Sequence, residues 1–311
     1  MLDFKVIEIS DRPWVTELLK ISDFRGCEYN FSNNFAWHRL YETKICRYKD
    51  FYISRSMKYG MRFTFPAGKG DYGELFNILK KEAEEAGVPL VISSVTNENL
   101  SIFEELFPNE YEVSCDEADF DYIYEAEKLR TLSGKKYHSK RNHLARFYEN
   151  NWEYSDMTEK DFDECIEFAV KSYNDNQAYD DESAVSEQFA INAFMNYFDA
   201  LELKGGVIRV DGKVQGFTIG DGINSDTFDI HIEKANASIQ GAYTAINNEF
   251  AKSATEGYTY INREEDLGLE GLRKSKRSYH PAIMLQKNTV KFIIKIAATE
   301  KLISYEERSL D

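Results

Sequence analysis

The sequence predicts a mixed α/β (α+β) protein, because amphipathic helices alternate with short strand-like runs along its 311 residues. Two such series of similar length lie on either side of a strongly basic stretch near residue 140. Aromatic residues make up 14% of the chain and only 5 prolines occur, which is typical of a packed globular core. We therefore expect two domains, residues 1–150 and 151–311, each with a mixed, mostly antiparallel sheet flanked by helices.

Helix signals and strand-like runs alternate in the first half. Asp71 and Glu74 form a helix-start pattern, and an apolar stripe of helical period follows them. A strand is predicted directly afterwards at 89–94, a short helix at 97–107 and a second strand at 120–124. The first half is therefore of mixed type.

The second half begins with two helices and continues with strands. Thr158 and Asp161 start the first helix, and Ser186 opens the second. Asp211-Gly212 is a typical hairpin turn between two short runs of β-branched residues. The predicted order is helix, helix, three antiparallel-type strands, helix, strand, helix, and it resembles the acetyltransferase-type (GNAT) fold. The first half offers a weaker version of the same series, which predicts a tandem GNAT-like architecture with a ligand cleft where a central sheet splays.

The overall composition is acidic. There are 38 basic and 54 acidic residues, a formal net charge of −16, so the chain would repel nucleic acid unless basic residues cluster. The four cysteines are widely spaced without a CxxC pair, which argues against a structural zinc site and for reduced thiols. No signal-peptide pattern and no long apolar run occurs, so we expect a cytoplasmic protein without a transmembrane segment.

The segment NREEDLGLEGLRKSKRSYHP, residues 262–281, combines acids, glycines and a basic run. Glu265 and Asp266 follow a predicted strand, and Gly268 allows a tight turn before a helix. The basic residues of that helix share one face and can bind an anion beside the acids. They are Arg273, Lys276, Arg277 and His280. The alternative is a solvated basic helix that docks on a core through Tyr279 and its leucines.

A second basic segment, LSGKKYHSKRNHLARF at 132–147, contains no acid. Lys136, Lys140 and His143 would share a helical face, which favours an anion site in an otherwise negative protein. The alternative is that this connector pairs with acids on neighbouring elements. If the first interpretation holds, Lys136 and Lys140 should form a positive patch together with Arg273 and Lys276.

The predicted strand TFDIHIE alternates polar and apolar residues. Strand geometry would place Thr227, Asp229, His231 and Glu233 on one face. A polar face on a central strand suggests a site, and His231 and Glu233 are candidates for a general base. A solvent-facing side of an antiparallel sheet would produce the same pattern.

Gly241 stands before a predicted helix that follows a strand. The free amides of such a helix start can bind phosphate, so Gly241 and Tyr243 are candidate substrate-binding residues. The acetyl-coenzyme A fingerprint Q/R-x-x-G-x-G/A fails here, because Ser238 and Tyr243 stand at its two ends. This departure argues against an ordinary acetyl-coenzyme A enzyme.

Three ordered motifs carry a family resemblance: LSGKKYHSKRNHLARF, HIEKANASIQGAYTAINNEFA and NREEDLGLEGLRKSKRSYHP. Together they resemble bacterial proteins grouped with the C-terminal domain of phosphatidylglycerol lysyltransferase. The resemblance implies two GNAT-like domains akin to aminoacyl-tRNA-dependent aminoacyltransferases. It also implies a site core, with Lys136, Lys140 and Arg141 in support. That core comprises Asp266, Gly268, Leu272, Arg273, Lys274, Lys276 and Tyr279.

The chain departs from the lysyltransferases proper, because it shows no multi-span membrane domain. Its stretch 290–303 is interrupted by lysines and could dock only as an amphipathic helix. A lipid headgroup is therefore one acceptor among small molecules and peptides, and tRNA is the implied partner.

We interpret the sequence as an acyl-group transferase that uses an aminoacyl-tRNA donor, without a metal or a tightly bound cofactor. Asp266, or Glu265 in its place, would hold the α-ammonium of the aminoacyl group, and Glu233 or His231 would be the base. Arg273 and Lys276, with Lys274 nearby, would hold the terminal phosphate or the oxyanion. Tyr279 would hydrogen-bond the carbonyl or donate a proton. The alternatives are an acyl-CoA-dependent N-acyltransferase and a non-catalytic GNAT-like ligand-binding protein.

Overall fold

The computed structural model describes residues 2–175 and 181–293. Ten helices occur in this part of the chain. They are α1 (Arg12–Ser22), α2 (Phe31–Tyr41), α3 (Tyr72–Glu85), α4 (Leu100–Leu106), α5 (Ala126–Thr131), α6 (His138–Phe147), α7 (Phe162–Asp175), α8 (Asp181–Asn196), α9 (Ala242–Ala254) and α10 (Glu270–Arg277). None of the helices within the described ranges is long and apolar enough to cross a membrane.

Fifteen strands accompany these helices in the described residues. They are β1 (Lys5–Val6), β2 (Lys44–Tyr48), β3 (Phe51–Ser56), β4 (Arg62–Thr64), β5 (Ala67–Gly68), β6 (Val91–Val95), β7 (Tyr111–Cys115), β8 (Asp121–Glu125), β9 (Trp152–Asp156), β10 (Lys204–Val210), β11 (Lys213–Gly222), β12 (Thr227–Ala235), β13 (Tyr260–Asn262), β14 (Ile283–Leu285) and β15 (Asn288–Phe292).

The strands form two mixed sheets. The first has the order β1-β2-β3-β4-β6-β15-β7, with β5 paired to β3, and the second has the order β14-β8-β13-β12-β11-β10-β9. Each sheet therefore contains one strand from the other end of the chain, because β15 joins the first sheet and β8 joins the second. The chain passes from the first sheet to the second between β7 and β8. This point lies before residue 150, where the sequence suggests a domain boundary.

Local sequence signals account for many of these elements. The side chain of Asp71 accepts a hydrogen bond from the amide of Glu74 at 2.9 Å and caps α3, as predicted. Asp211 and Gly212 have positive φ values of 52° and 75°, which a tight hairpin turn requires.

Two predicted helical stretches differ from the structure. The basic helix ends at Arg277, so it does not include His280, which was predicted on its basic face and has a left-handed backbone with φ of 55°. Val290 was expected in an amphipathic helix but lies in strand β15, because its backbone pairs with both β6 and β7. Lys291 and Phe292 belong to the same strand, and residues 294–303 of the expected helix lie outside the described residues.

A single apolar core joins the two halves. It includes Val15 of α1 and Phe35 of α2 from the first half, and Phe194 of α8 and Phe217 of β11 from the second. Helices α2 and α8 thus pack together between the two sheets. On the opposite face of the second sheet, α9 covers Phe228 and Ile261 through residues such as Phe250. The second sheet is therefore buried on both faces.

Candidate functional site

The second sheet opens beside β12. Strands β12 and β13 run parallel and pair only from Thr227 with Tyr260 to Asp229 with Asn262. Strand β13 ends there, while β12 continues to Ala235. Because the two strands part in the middle of the sheet, polar groups from several elements can converge on the gap.

A β-bulge interrupts β12 next to this gap. The register with β11 shifts between Ile219 and Gly220, which pair with Ile232 and Ile230 respectively. His231 is the extra residue of the bulge, and the inward and outward alternation of side chains changes there.

The bulge places the polar residues of β12 on opposite faces. The ring of His231 stacks on Phe194 of α8, with the centroids 5.0 Å apart. Glu233 instead points to α9, where the side-chain amide of Asn247 donates to it at 2.9 Å. The prediction that Asp229, His231 and Glu233 share one face is therefore wrong, because the sequence pattern alone does not reveal the inserted residue.

On the α9 side, Glu233 is fully engaged. Arg263 donates to its Oε1 at 2.7 Å, and Asn247 donates to its Oε2. The side chains of Glu233 and Arg263 are only 10% and 9% exposed. In this arrangement Glu233 fixes the guanidinium of Arg263 and is poorly placed to take a proton from an acceptor.

Lys140 of α6 reaches the same region. Its Nζ lies 3.6 Å from the centroid of the Tyr279 ring, and the guanidinium carbon of Arg263 lies 4.9 Å from that centroid. Partial burial and, to a smaller extent, the neighbouring charge of Arg263 together lower the pKa of Lys140 to about 8. An amine with this pKa is partly neutral near physiological pH, so it can accept a proton.

Tyr279 is a platform for these two cations. It is buried, and its hydroxyl donates to the hydroxyl of Thr244 at a long distance of 3.5 Å. Burial raises the pKa of Tyr279 to about 12. Its ring face therefore meets Lys140 and Arg263, while its hydroxyl lies inside the protein.

The start of α9 lies beside α6. Gly241 has φ of 85° and precedes the helix, and no side chain caps this end. A Cβ atom at Gly241 would overlap the carbonyl oxygen of His143, so the glycine permits close packing of the two helices. Tyr243 in the first turn is 42% exposed.

Asp266 accepts four hydrogen bonds from three residues and has no exposed surface. Arg273 binds it at two points, Nε to Oδ2 at 2.6 Å and the second nitrogen to Oδ1 at 2.9 Å. Tyr122 and the amide of Gly268 complete the set. Burial would raise the pKa of Asp266, but these donors outweigh it and hold the pKa at about 2. Asp266 was predicted to bind the ammonium of a substrate. In the structure it binds the guanidinium of Arg273 instead.

Lys276 is also buried. Its Nζ donates to the backbone carbonyls of Arg263, Glu264 and Glu265, the first two at 2.5 and 3.2 Å. Desolvation lowers the pKa of Lys276 to about 8. Because Lys276 is buried and Arg273 is paired, these two residues do not join Lys136 and Lys140 in the predicted positive patch.

The remaining predicted cations lie on the surface. Lys136 and Lys274 are exposed. Arg141 donates to the carbonyls of Leu132 and Gly134 at 2.5 and 2.8 Å. It also lines an open pocket of about 310 Å³ between α5, α6 and α9.

Glu265 belongs to a buried cluster around Lys287. The ammonium of Lys287 contacts Glu28 at 2.7 Å, Asp121 at 2.8 Å and Glu265 at short range. Burial would lower the pKa of Lys287, but the facing acids outweigh it and raise that pKa well above its ordinary value. This cluster links β8, the loop after β13 and the segment between β14 and β15. Glu265 was predicted to hold the ammonium of a substrate. In the structure it holds the ammonium of Lys287 instead.

His231 lies between acids on the α8 side. Its Nε2 is 2.9 Å from Asp221 and its Nδ1 is 3.2 Å from Glu264. Burial would lower the pKa of His231, but these hydrogen bonds outweigh it and raise the pKa well above 6.5. Both ring nitrogens face carboxylates, so the ring is poorly placed to take a proton from an acceptor.

Sequence reasoning missed several of these residues. Arg263 stands inside a motif already singled out, and its place directly after a strand is the signal that could have identified it. Asp121, Glu28 and Lys287 carry no local signal, because they are brought together from distant parts of the chain.

Comparisons with known proteins identify the family. A model of the phosphatidylglycerol lysyltransferase C-terminal domain matches residues 19–290, so the chain belongs to this family. The resemblance predicted from the three motifs is confirmed. An uncharacterized protein of Mycoplasmoides gallisepticum is 26% identical over 181 residues, which is 57% of this chain and 58% of that protein.

Solved structures show the same fold. A conserved protein of unknown function from Bacteroides thetaiotaomicron is 36% identical, with a TM-score of 0.90 over 94% of this chain and 100% of that one. L-PGS from Bacillus licheniformis is 14% identical, with a TM-score of 0.64 over 93% and 94% of the two chains. FemX is 9% identical, with a TM-score of 0.59 over 94% and 98%. The predicted tandem GNAT-like α/β fold is confirmed.

Proposed function

We propose that the protein is an acyl-group transferase that moves an aminoacyl group from aminoacyl-tRNA to an amine or hydroxyl acceptor. The observation that supports this most directly is the placement of Lys140 and Arg263 over the ring of Tyr279, beside the opening between β12 and β13. Membership of the phosphatidylglycerol lysyltransferase C-terminal family supports the same class of reaction. The acceptor is a small molecule, a peptide or a lipid headgroup.

The reaction needs positioning and one proton exchange, because the donor ester is already activated. The acceptor nitrogen or oxygen attacks the ester carbonyl, and the tetrahedral intermediate expels the ribose oxygen of the tRNA. Lys140 accepts the proton that the acceptor loses and returns it to the departing ribose oxygen. The fixed charge of Arg263 stabilises the oxyanion between these steps.

The start of α9 suits the anionic end of the donor. Its amides have no side-chain cap, and helix starts attract phosphate through free N–H groups and the helix dipole. Gly241 and the exposed Tyr243 stand at this end, and the basic helix α6 packs beside it. The donor's terminal phosphate would therefore bind where the two helices meet.

Two alternatives remain, each with an observation in its favour. The same helix start suits the pyrophosphate of an acyl-CoA donor, although Ser238 and Tyr243 depart from the acetyl-coenzyme A fingerprint. A non-catalytic ligand-binding protein is favoured by the engagement of both Glu233 and His231 in ion pairs. The experiment below separates these alternatives from the proposal.

The first experiment compares ligands by thermal shift: aminoacyl-tRNA, uncharged tRNA, acetyl-coenzyme A and coenzyme A. A larger shift with charged than with uncharged tRNA supports the proposal, and a shift with acetyl-coenzyme A alone supports the first alternative. Transfer of a labelled aminoacyl group to a panel of amines is then compared for Lys140→Met and Lys136→Met. Loss of transfer only in Lys140→Met is expected. Equal transfer in both variants would remove Lys140 from the mechanism.

A further inference from the structure

A second cluster of potential ligands lies on the other face of β12, away from Lys140. Nδ1 of His231 is 3.2 Å from Oε1 of Glu264 and 3.6 Å from Oδ2 of Asp229. Metal ligands at about 2.1 Å from one ion lie roughly 3.0 to 3.4 Å from each other. Nδ1 of His231 therefore lies at nearly this spacing from both acids, and the ligand atoms of the three residues all lie within 4.8 Å of one another.

Asp229 supplies an independent observation. Its side chain has no exposed surface, and neither carboxylate oxygen receives a hydrogen bond from any described residue. A buried carboxylate without a donor is costly unless a cation or a proton accompanies it. Its Oδ2 faces the same point as His231 and Glu264.

The surroundings of His231 are those of a metal-binding histidine. Its other nitrogen, Nε2, lies 2.9 Å from Asp221, and such carboxylate contacts fix the ring and raise the basicity of the ligating nitrogen. Asp221 is itself held by Asn30 at 2.5 Å and Ser32 at 2.6 Å, both at the start of α2. The stacked ring of Phe194 fixes the imidazole from one side.

Glu264 is aimed into the cluster by an unusual backbone. Its φ is 56°, a left-handed conformation that is uncommon for a residue with a side chain. The amide of Glu264 donates to Asn262 at 2.7 Å, and Asn33 of α2 donates to its carboxylate at 2.8 Å. Both contacts hold the carboxylate beside His231.

The Lys287 cluster provides the contrast. Cys27, Asp121 and Glu265 also have ligand spacing, but the ammonium of Lys287 already lies among the two acids. In the second cluster, by contrast, the buried carboxylate of Asp229 receives no hydrogen bond and no lysine or arginine ion pair from any described residue. The need for an added cation is therefore specific to the second cluster.

We propose that Asp229, His231 through Nδ1, and Glu264 form a binding site for a first-row divalent metal ion. One imidazole and two carboxylates suit Zn²⁺, Mn²⁺ or Fe²⁺ better than Mg²⁺, which prefers oxygen ligands alone. The ion would tie the loop after β13 to β12, beside the contact that Asn33 of α2 makes with Glu264. This inference does not depend on aminoacyl transfer.

Metal content of the isolated protein is the direct test. The protein is produced in media supplemented with Zn²⁺, Mn²⁺ and Fe²⁺ in turn. It is purified by gel filtration, with no metal-chelate affinity step, and its metal content is measured by elemental mass spectrometry. Wild type should retain about one metal ion per chain, because buried ligands release a metal slowly. Asp229→Asn should retain none. Asp226→Asn is the matched control, because Asp226 is paired with Arg25 and should leave the metal content unchanged.

Thermal unfolding of metal-depleted protein gives the second measurement. Adding the retained metal should raise the melting temperature of wild type and of Asp226→Asn, but not of Asp229→Asn or His231→Gln. Metal-depleted Asp229→Asn should melt at or above metal-depleted wild type, since it no longer buries an unpartnered charge. The proposal is overturned if wild type retains no more metal than Asp229→Asn. It is also overturned if a polyamine, and no metal, produces the Asp229-dependent shift.

Discussion

The guanidinium of Arg273 donates two hydrogen bonds to the carboxylate of Asp266, at 2.6 and 2.9 Å. This pair fixes the loop after β13 to the start of α10. Because Asp266 is buried, its charge depends on Arg273 for compensation.

Asp266→Asn should therefore lower stability. We expect a loss of roughly 2 kcal/mol in the free energy of unfolding, because a charged hydrogen-bonded pair is broken in a buried place. The folded pKa of about 2 lies below the ordinary 3.8, so this stabilisation is present above pH 3.8 and lost as the pH falls towards 2. Urea unfolding at several pH values should show the difference from wild type narrowing in that window.

Glu270→Gln is the control, because Glu270 is exposed at the start of the same helix. It should unfold like wild type. If Asp266→Asn keeps its full stability but loses transfer, then Asp266 holds the substrate ammonium as the sequence suggests, and the pair with Arg273 is secondary.

Lys276→Met tests the buried ammonium. Methionine keeps the apolar stem but removes the ammonium that donates to the carbonyls of residues 263–265, of which the carbonyl of Glu264 keeps the amide of Tyr122 as a donor. We expect a loss of roughly 2 to 4 kcal/mol in the free energy of unfolding, measured by urea titration. Lys274→Met, at an exposed position of the same helix, should change little. If Lys276→Met is stable but binds tRNA more weakly and in a salt-dependent way, then Lys276 contacts the donor, as the sequence predicts.

Much of the fold follows from local sequence signals. The cap at Asp71, the Asp211-Gly212 turn and the order of elements in the second half all predict the structure. The exchange of β8 and β15 between the sheets could not be predicted, since it depends on pairing between distant strands whose own sequences do not specify a partner.

The candidate site was predicted less completely, for two physical reasons. An inserted residue at His231 reverses the faces of β12, and alternation of residue types does not show a bulge. A cluster of charged residues in a sequence also does not show whether the residues bind a ligand or each other. In the structure, Asp266, Glu265 and Lys276 have partners within the chain. Lys140 is the predicted cation that combines partial burial with a place beside the opening.

The pH dependence of transfer tests Lys140. Since its pKa is lowered to about 8 and the base form is the neutral amine, kcat/KM should rise with pH and level off above about 8. Lys140→Arg keeps the charge but cannot lose its proton in this range, so transfer should be low and should lack this step. Lys136→Arg should keep the wild-type profile. If kcat/KM of Lys140→Arg rises with pH and levels off as in wild type, then a group other than Lys140 titrates.

Gly241 and Gly257 form a matched pair for testing the contact between α9 and α6. Their φ values are 85° and 88°, so alanine introduces nearly equal backbone strain at both positions. A Cβ atom at Gly257 meets no heavy atom within 4 Å, whereas one at Gly241 overlaps the carbonyl of His143 in α6.

Gly257→Ala should cost about 1 kcal/mol, the strain of a left-handed residue alone. Gly241→Ala should cost roughly 1 to 3 kcal/mol more, because α9 or α6 must move to relieve the overlap. Since α6 carries Lys140, the movement should also reduce transfer and donor binding in Gly241→Ala, while Gly257→Ala retains both. Urea unfolding and transfer assays on the two proteins measure these effects. Equal losses in both variants would mean that backbone strain alone matters and that the close approach of the two helices does not position the site.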